Sequence, residues 1–196
     1  MIQSETKNDF LEIDYFTQKS LEIFKNLSGD IEGSLISCLD ETKTASGARL
    51  LKQRVIEPFF RIEQIQDRYN LTNWILKNDI NILKYQIDFE SIPDLERSLS
   101  RISLSRGGPR DLSLMSKGLL IIKGIAEDLI SNNQDKSISS LLNVIIDNLN
   151  IDYSLFSNIK NAFKTDVPLI VKEGNFIKEG FHKELDSLRN FRNNEL

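Results

Sequence analysis

The sequence predicts an all-α fold, a helical array, and three observations predict it. Apolar residues recur at spacings of three and four along most of the 196 residues. The breakers Pro58 and Gly107-Gly108-Pro109 divide that pattern into separate helices. A single stretch, Val167-Pro168-Leu169-Ile170-Val171, is extended in propensity. The expected layout is a flexible tail over 1–9, a helical core over 10–166, and an extended segment over 167–196 that leads into the start of a long helix.

Each element follows from local chemistry. Ala48, Leu51 and Val55 mark a short helix with Thr42 or Thr44 as its N-cap. Glu57-Pro58-Phe59-Phe60 ends it, because proline lacks the amide donor and restricts the residue before it. Ile62, Ile65, Tyr69, Thr72 and Leu76 then form one helical face. Pro93-Asp94 opens the next helix, whose face is Leu95, Leu99 and Ile102; Asp94 and Glu96 sit where carboxylates favour the positive end of the helix dipole. After Gly107-Gly108-Pro109, the residues Leu112, Met115, Leu119, Ile122, Ala126 and Leu129 form a coiled-coil-like seam, which Gly118 and Gly124 weaken intrinsically. Asn132-Asn133-Gln134-Asp135 is a polar turn. Ile138, Leu141, Leu142, Ile145, Ile146 and Leu149 make the following helix. Asp152 caps a short one carrying Phe156, Ile159 and Phe163. Within the extended stretch Pro168 suits an edge position, and Glu173-Gly174-Asn175 is a turn. Leu185, Leu188 and Phe191 begin the last helix.

Charge and composition exclude several classes. Asp and Glu number 29 against 25 Lys and Arg, a net charge of −4, and the two signs alternate. A stand-alone nucleic-acid binder gathers a basic excess on one face, so little or no DNA binding is expected of this chain alone. The densest basic stretch, Arg97, Arg101, Arg106 and Arg110, reads as a solvated, partly ion-paired face. No apolar run approaches the roughly 20 residues that span a bilayer. The first residues lack the basic and apolar regions of a secretory signal. The one cysteine, Cys38, fits a reducing compartment, and Leu35-Ile36-Ser37-Cys38-Leu39 reads as the setting of a buried small hydrophobe. A cytoplasmic protein is expected.

Catalytic chemistry is nearly absent from the sequence. No phosphate loop of the form G-x-x-x-x-G-K-[ST] occurs. The single histidine, His182, has no cysteine or second histidine near it and reads as a helix-start surface residue. No catalytic, cofactor-binding or metal-ligating residue is expected. Asp94, Glu96, Arg97, Pro109, Arg110 and Asp111 stand out instead, flanking an αα corner where helix ends leave unmatched backbone donors.

Several segments, in order, resemble the core domain of the MutS mismatch-repair family. They are Leu21-Glu22-Ile23, Asn26-Leu27-Ser28-Gly29, and Gly33-Ser34-Leu35 through Leu39-Asp40-Glu41-Thr42. Thr42 to Leu51 continues that pattern, with Ala48 where a serine is common. Pro58, then Ile65 and Arg68, then Asp94-Leu95-Glu96-Arg97 and Pro109-Arg110-Asp111-Leu112 follow in register. Glu173-Gly174-Asn175-Phe176-Ile177, Gly180-Phe181 and Glu184 to Arg189 complete the series. The likeness runs from about Ile13 to Arg192. Arg61 departs from a common acidic helix start, and Phe181 replaces a tyrosine.

That resemblance implies a core and lever piece of a larger machine. It would begin at the end of a connector and stop where a lever helix leaves for a DNA clamp, without the mismatch-reading, clamp and ATPase domains. The implied job is mechanical, coupling ATPase state to grip on mismatched DNA. For the parent it implies an ABC-type ATPase using ATP and Mg, a homodimer, a MutL-type partner and association with the nucleoid. The alternatives are the core of a MutS-like paralogue acting outside mismatch repair, or a free-standing helical adaptor built on the 112–129 seam. A downstream phosphate loop and an upstream Phe-x-Glu wedge would separate them.

Overall fold

A computed structural model describes residues 10–77, 82–132 and 140–194, and among these no strand or sheet occurs. The helices are α1 (Tyr15–Ser20), α2 (Leu35–Leu39), α3 (Ala45–Ile56), α4 (Ile62–Lys77), α5 (Ile82–Glu90), α6 (Leu95–Ser103), α7 (Pro109–Asn132), α8 (Ser140–Leu149), α9 (Ser154–Ala162) and α10 (Lys183–Asn194). The chain divides into two compact units: residues up to Glu90 together with Asp128–Leu149, and Ser91–Glu127 together with Asn150 onward. The tail over 1–9, the polar turn apart from Asn132, and Ile138 of the following apolar face lie outside the described residues.

The first unit is built from short, capped pieces. Asp14 caps α1 through bonds from the amides of Phe16 and Thr17, and Thr44 caps α3 by accepting from the Gly47 amide at 2.9 Å. Ser34 is fully buried and caps α2, while the Leu35 and Ile36 amides donate to the carbonyls of Glu22 and Ile23. Backbone bonds thus join the Leu21-Glu22-Ile23 and Gly33-Ser34-Leu35 segments. Ile23, Ile36 and, from α8, Leu142 are almost wholly buried. α8 packs against α4, turning Leu141, Leu142, Ile145 and Ile146 inward. At the Pro58 break, the Leu11 amide donates to the Pro58 carbonyl, and Phe10 stacks on Phe59 with centroids 5.3 Å apart. The Arg68 guanidinium lies 3.8 Å above the Phe59 ring.

The second unit comprises α6, α7 as far as Glu127, α9 and α10. Ile125, Ala126, Tyr153 and Ala162 are among its buried residues. An isolated antiparallel bridge pairs Phe163 with Ile177, and the rings of Phe163 and Phe176 meet edge to face. Asp152 is not the N-cap of α9: that position is Tyr153, which makes no side-chain cap bond, and Asp152, one residue earlier, accepts from the amide and hydroxyl of Ser154.

The structure corrects several inward faces. On α4 the stripe Ile62, Ile65, Tyr69, Thr72 and Leu76 is exposed, and Gln64, Arg68, Leu71 and Ile75 are turned in. Both stripes keep helical spacing, so periodicity alone does not select between them. On α6 Leu99 is exposed and Ser98 is buried. On α10 Leu188 and Phe191 are exposed; Leu185, Asp186 and Arg189 face inward, with Arg189 bonded to Asp186 at 3.0 Å and to the Ile177 carbonyl at 2.9 Å. On α7 a line of deep burial runs at steps of seven through Asp111, Gly118 and Ile125, beside the half-buried Met115, Leu119 and Ile122. Leu112 is exposed.

Two further expectations change. Cys38 is exposed, not buried. α2 is five residues long, and with Ile36 turned in, Cys38 lies two positions on, across the helix. The stretch 167–171 forms no strand: it has no neighbour strand, and its end tightens into a single 3-10 turn over Val171–Glu173. Gly174 and Asn175 follow at positive φ, 65° and 57°.

Candidate functional site

The residues singled out in the sequence lie on α6 and α7 of the second unit. Asp94 is the N-cap of α6, its Oδ1 accepting from the Arg97 amide at 3.2 Å. Glu96 lies in the first turn, and the side chains of Glu96 and Arg97 are exposed. At its other end α6 closes with two bonds, from the Arg106 amide to the Arg101 carbonyl at 2.8 Å and from the Ser105 amide to the Ile102 carbonyl at 3.0 Å. That pair of bonds is a Schellman ending, which needs a left-handed residue just past the cap. Ser105 supplies it with φ of 55°.

The Gly107-Gly108-Pro109 break sets the start of α7. Pro109 is buried at the first helical position, where the missing amide hydrogen costs nothing. Asp111, two residues on, reaches back so that its Oδ2 accepts from the Gly108 amide at 3.0 Å, the reciprocal half of a capping box. The Arg101 Nε donates to both carboxylate oxygens of Asp111 at 3.2 Å, and its terminal nitrogen donates to the Arg106 carbonyl at 3.1 Å. One guanidinium thus joins the end of α6, the connecting loop and the start of α7. Arg110 is exposed and makes no part of this joint.

Close backbone approach explains two glycines. A methyl group at Gly118 would lie 2.7 Å from Leu95 Cδ2 and 3.0 Å from Pro93 Cδ. A methyl at Gly108 would overlap the Leu169 carbonyl oxygen. Leu95 lies against Gly118 and Arg101 against Asp111, so α6 and α7 run antiparallel as a tight αα hairpin. Gly124, by contrast, has open space around its Cα, and nothing in the structure explains it.

Asp94, Glu96 and Arg97 therefore sit at one end of α6, while Pro109 and Asp111 sit at the joint. The sequence marks Arg101 only as part of a partly ion-paired basic stretch and does not reveal its partner, Asp111. Its ten-residue separation from Asp111 crosses a loop and fits no helical spacing, so no local signal marks the pairing. His182 accepts from the Leu185 amide at 3.4 Å at the start of α10. Among the described residues no cluster of His, Cys, Asp or Glu is arranged to hold a metal ion. No described helix is long and apolar enough to cross a membrane.

Helices joined by caps, one buried carboxylate and close glycine contacts define a structural helical module. Its family is also clear. The family described as MutS domain III matches residues 16–194, and the chain belongs to that family. A DNA mismatch repair protein MutS from Bartonella tribocorum is 33% identical over 194 residues, 98% of this chain and 21% of its own length. The protein of the same name from Ruegeria sp. is 34% identical over 188 residues, 96% of this chain and 21% of its own. The chain thus spans about a fifth of the length of these relatives.

Proposed function

We propose that this chain is the mechanical core of a MutS-type DNA mismatch repair protein, coupling nucleotide state in an ATPase domain to grip on mismatched duplex DNA. The observation that carries this reading is the match to MutS domain III over 16–194, with relatives named for DNA mismatch repair. The α6–α7 joint supports it physically. Packed helices shift as units between discrete arrangements, and a joint held by Arg101, Asp111 and Gly108 passes a displacement on rather than absorbing it. In this reading the parent is an ABC-type ATPase using ATP and Mg, works as a homodimer, and engages a MutL-type partner. The chain itself has no catalytic role and binds DNA weakly, because its net charge is −4.

The test is Gly108→Ala in the full-length parent, with thermal melts to show that the variant folds. Mismatched DNA should no longer alter ATP turnover, while turnover without DNA and equilibrium binding to the mismatch persist. A folded variant with full mismatch-dependent turnover would refute the coupling role. For the isolated chain, labelled homoduplex and G·T duplex should bind equally and with Kd weaker than about 1 μM.

A further inference from the structure

The second unit holds a cleft of about 440 Å³ rimmed by Lys117, Lys160, Lys164 and Lys178, and no carboxylate lines it. This convergence is unexpected in a chain of net charge −4. It is also assembled from separate elements: Lys117 comes from α7, Lys160 from α9, and Lys164 and Lys178 flank the Phe163–Ile177 bridge. The bridge holds the last two in register through bonds from the Lys164 amide to the Phe176 carbonyl and from the Lys178 amide to the Ala162 carbonyl.

Two of the ammonium groups are held by neutral acceptors. Lys164 Nζ donates to Asn175 Oδ1 at 2.6 Å, and Lys178 Nζ donates to the Lys160 carbonyl at 3.0 Å. Among the described residues none of the four lysines has a carboxylate partner. A concavity bordered by four lysines and by no carboxylate favours the entry of an anion. The volume is that of a ligand pocket, in the range of roughly 300–1,000 Å³.

We infer that this cleft binds phosphate oxyanions, presented either by a nucleic-acid backbone or by a free phosphate compound. Lysine suits such a ligand because each ammonium is a compact charge with several donors on a flexible stem. The site is separate from the α6–α7 joint and does not depend on the mechanical reading. Four cations give a weak, salt-sensitive site, consistent with the weak DNA binding expected of the whole chain.

The experiment uses the chain as it stands, titrated with inorganic pyrophosphate by calorimetry and with a short labelled duplex by anisotropy across a salt series. The test variant is Lys117→Gln/Lys160→Gln, whose ammonium groups have no described structural partner. The control is Lys25→Gln/Lys52→Gln, an equal charge change at exposed positions of the other unit. Helical circular dichroism confirms that all are folded. The cleft variant should lose about tenfold in pyrophosphate affinity, with the control within about twofold. If the source is a nucleic-acid backbone, the log–log salt slope for duplex becomes shallower by about 2 in the cleft variant alone. If duplex binding is unchanged while pyrophosphate binding falls, the source is free phosphate. Binding of neither probe, or equal weakening by the two variants, would overturn the assignment.

Discussion

Replacing Asp111 with alanine should loosen the joint between α6 and α7, and the structure sets the size of the effect. The residue is 9% exposed and accepts from the Gly108 amide at 3.0 Å and from Arg101 at 3.2 Å. Losing a carboxylate that caps a helix start costs about 0.5–2 kcal/mol. The ion pair adds less, because the Arg101 side chain is 44% exposed and water screens it; about 0.2–1 kcal/mol is the usual range. Asp111→Ala should therefore cost about 1–3 kcal/mol. Asp111→Asn keeps an acceptor for Gly108 and should cost about half as much. Arg101→Ala removes only the pair and the bond to the Arg106 carbonyl, about 0.5–1.5 kcal/mol. Combined, the two alanine changes should fall short of additivity by about 0.5–1 kcal/mol, since they remove the same contact. Urea unfolding followed by circular dichroism is the assay. Trp74 fluorescence is unsuitable, because Trp74 belongs to the other unit. Single variants within about 0.5 kcal/mol of the parent, or strict additivity, would show that this carboxylate does not hold the joint.

Other outcomes follow from single features. Ser105→Gly should stabilise by about 0.5–1 kcal/mol, because glycine takes the left-handed ending of α6 without strain; a lower melting temperature would contradict the Schellman assignment. Cys38 should react completely with a thiol reagent in native buffer, as its exposure requires; labelling only after denaturation would place it back in a core. In acid, Asp14 and Asp40 are held below their ordinary value first by the hydroxyls of Thr17 and Thr42, and Asp152 first by the Ser154 amide. A depressed folded value means stability that is complete above the unfolded value of 3.8 and lost as pH falls through the lower folded value. Replacing all three by asparagine should flatten that acid limb of the melting curve; an unchanged limb would show that these carboxylate bonds do not contribute to it.

Much of this chain is legible locally. The breaks at Pro58 and at Gly107-Gly108-Pro109, the caps at Thr44 and Asp94 and the bonds from Ser154 to Asp152 follow from residue chemistry within a few positions. So does the helical spacing of α3, α4, α6, α7, α8, α9 and α10. The order of family motifs is written in the sequence outright. Inward faces are a different matter. A helix such as α4 carries apolar residues on two stripes, and only its neighbours decide which stripe is covered. The heptad line through Asp111 and Gly118 escapes a hydrophobic pattern because one residue is charged and the other has no side chain. The partnership of Arg101 with Asp111, the approach of Leu169 to Gly108, the exposure of Cys38 and the convergence of four lysines all join or separate residues across loops. Local backbone geometry determines where a helix begins and ends, whereas burial and long-range pairing depend on the surface another segment brings to it, which is set only when the chain packs.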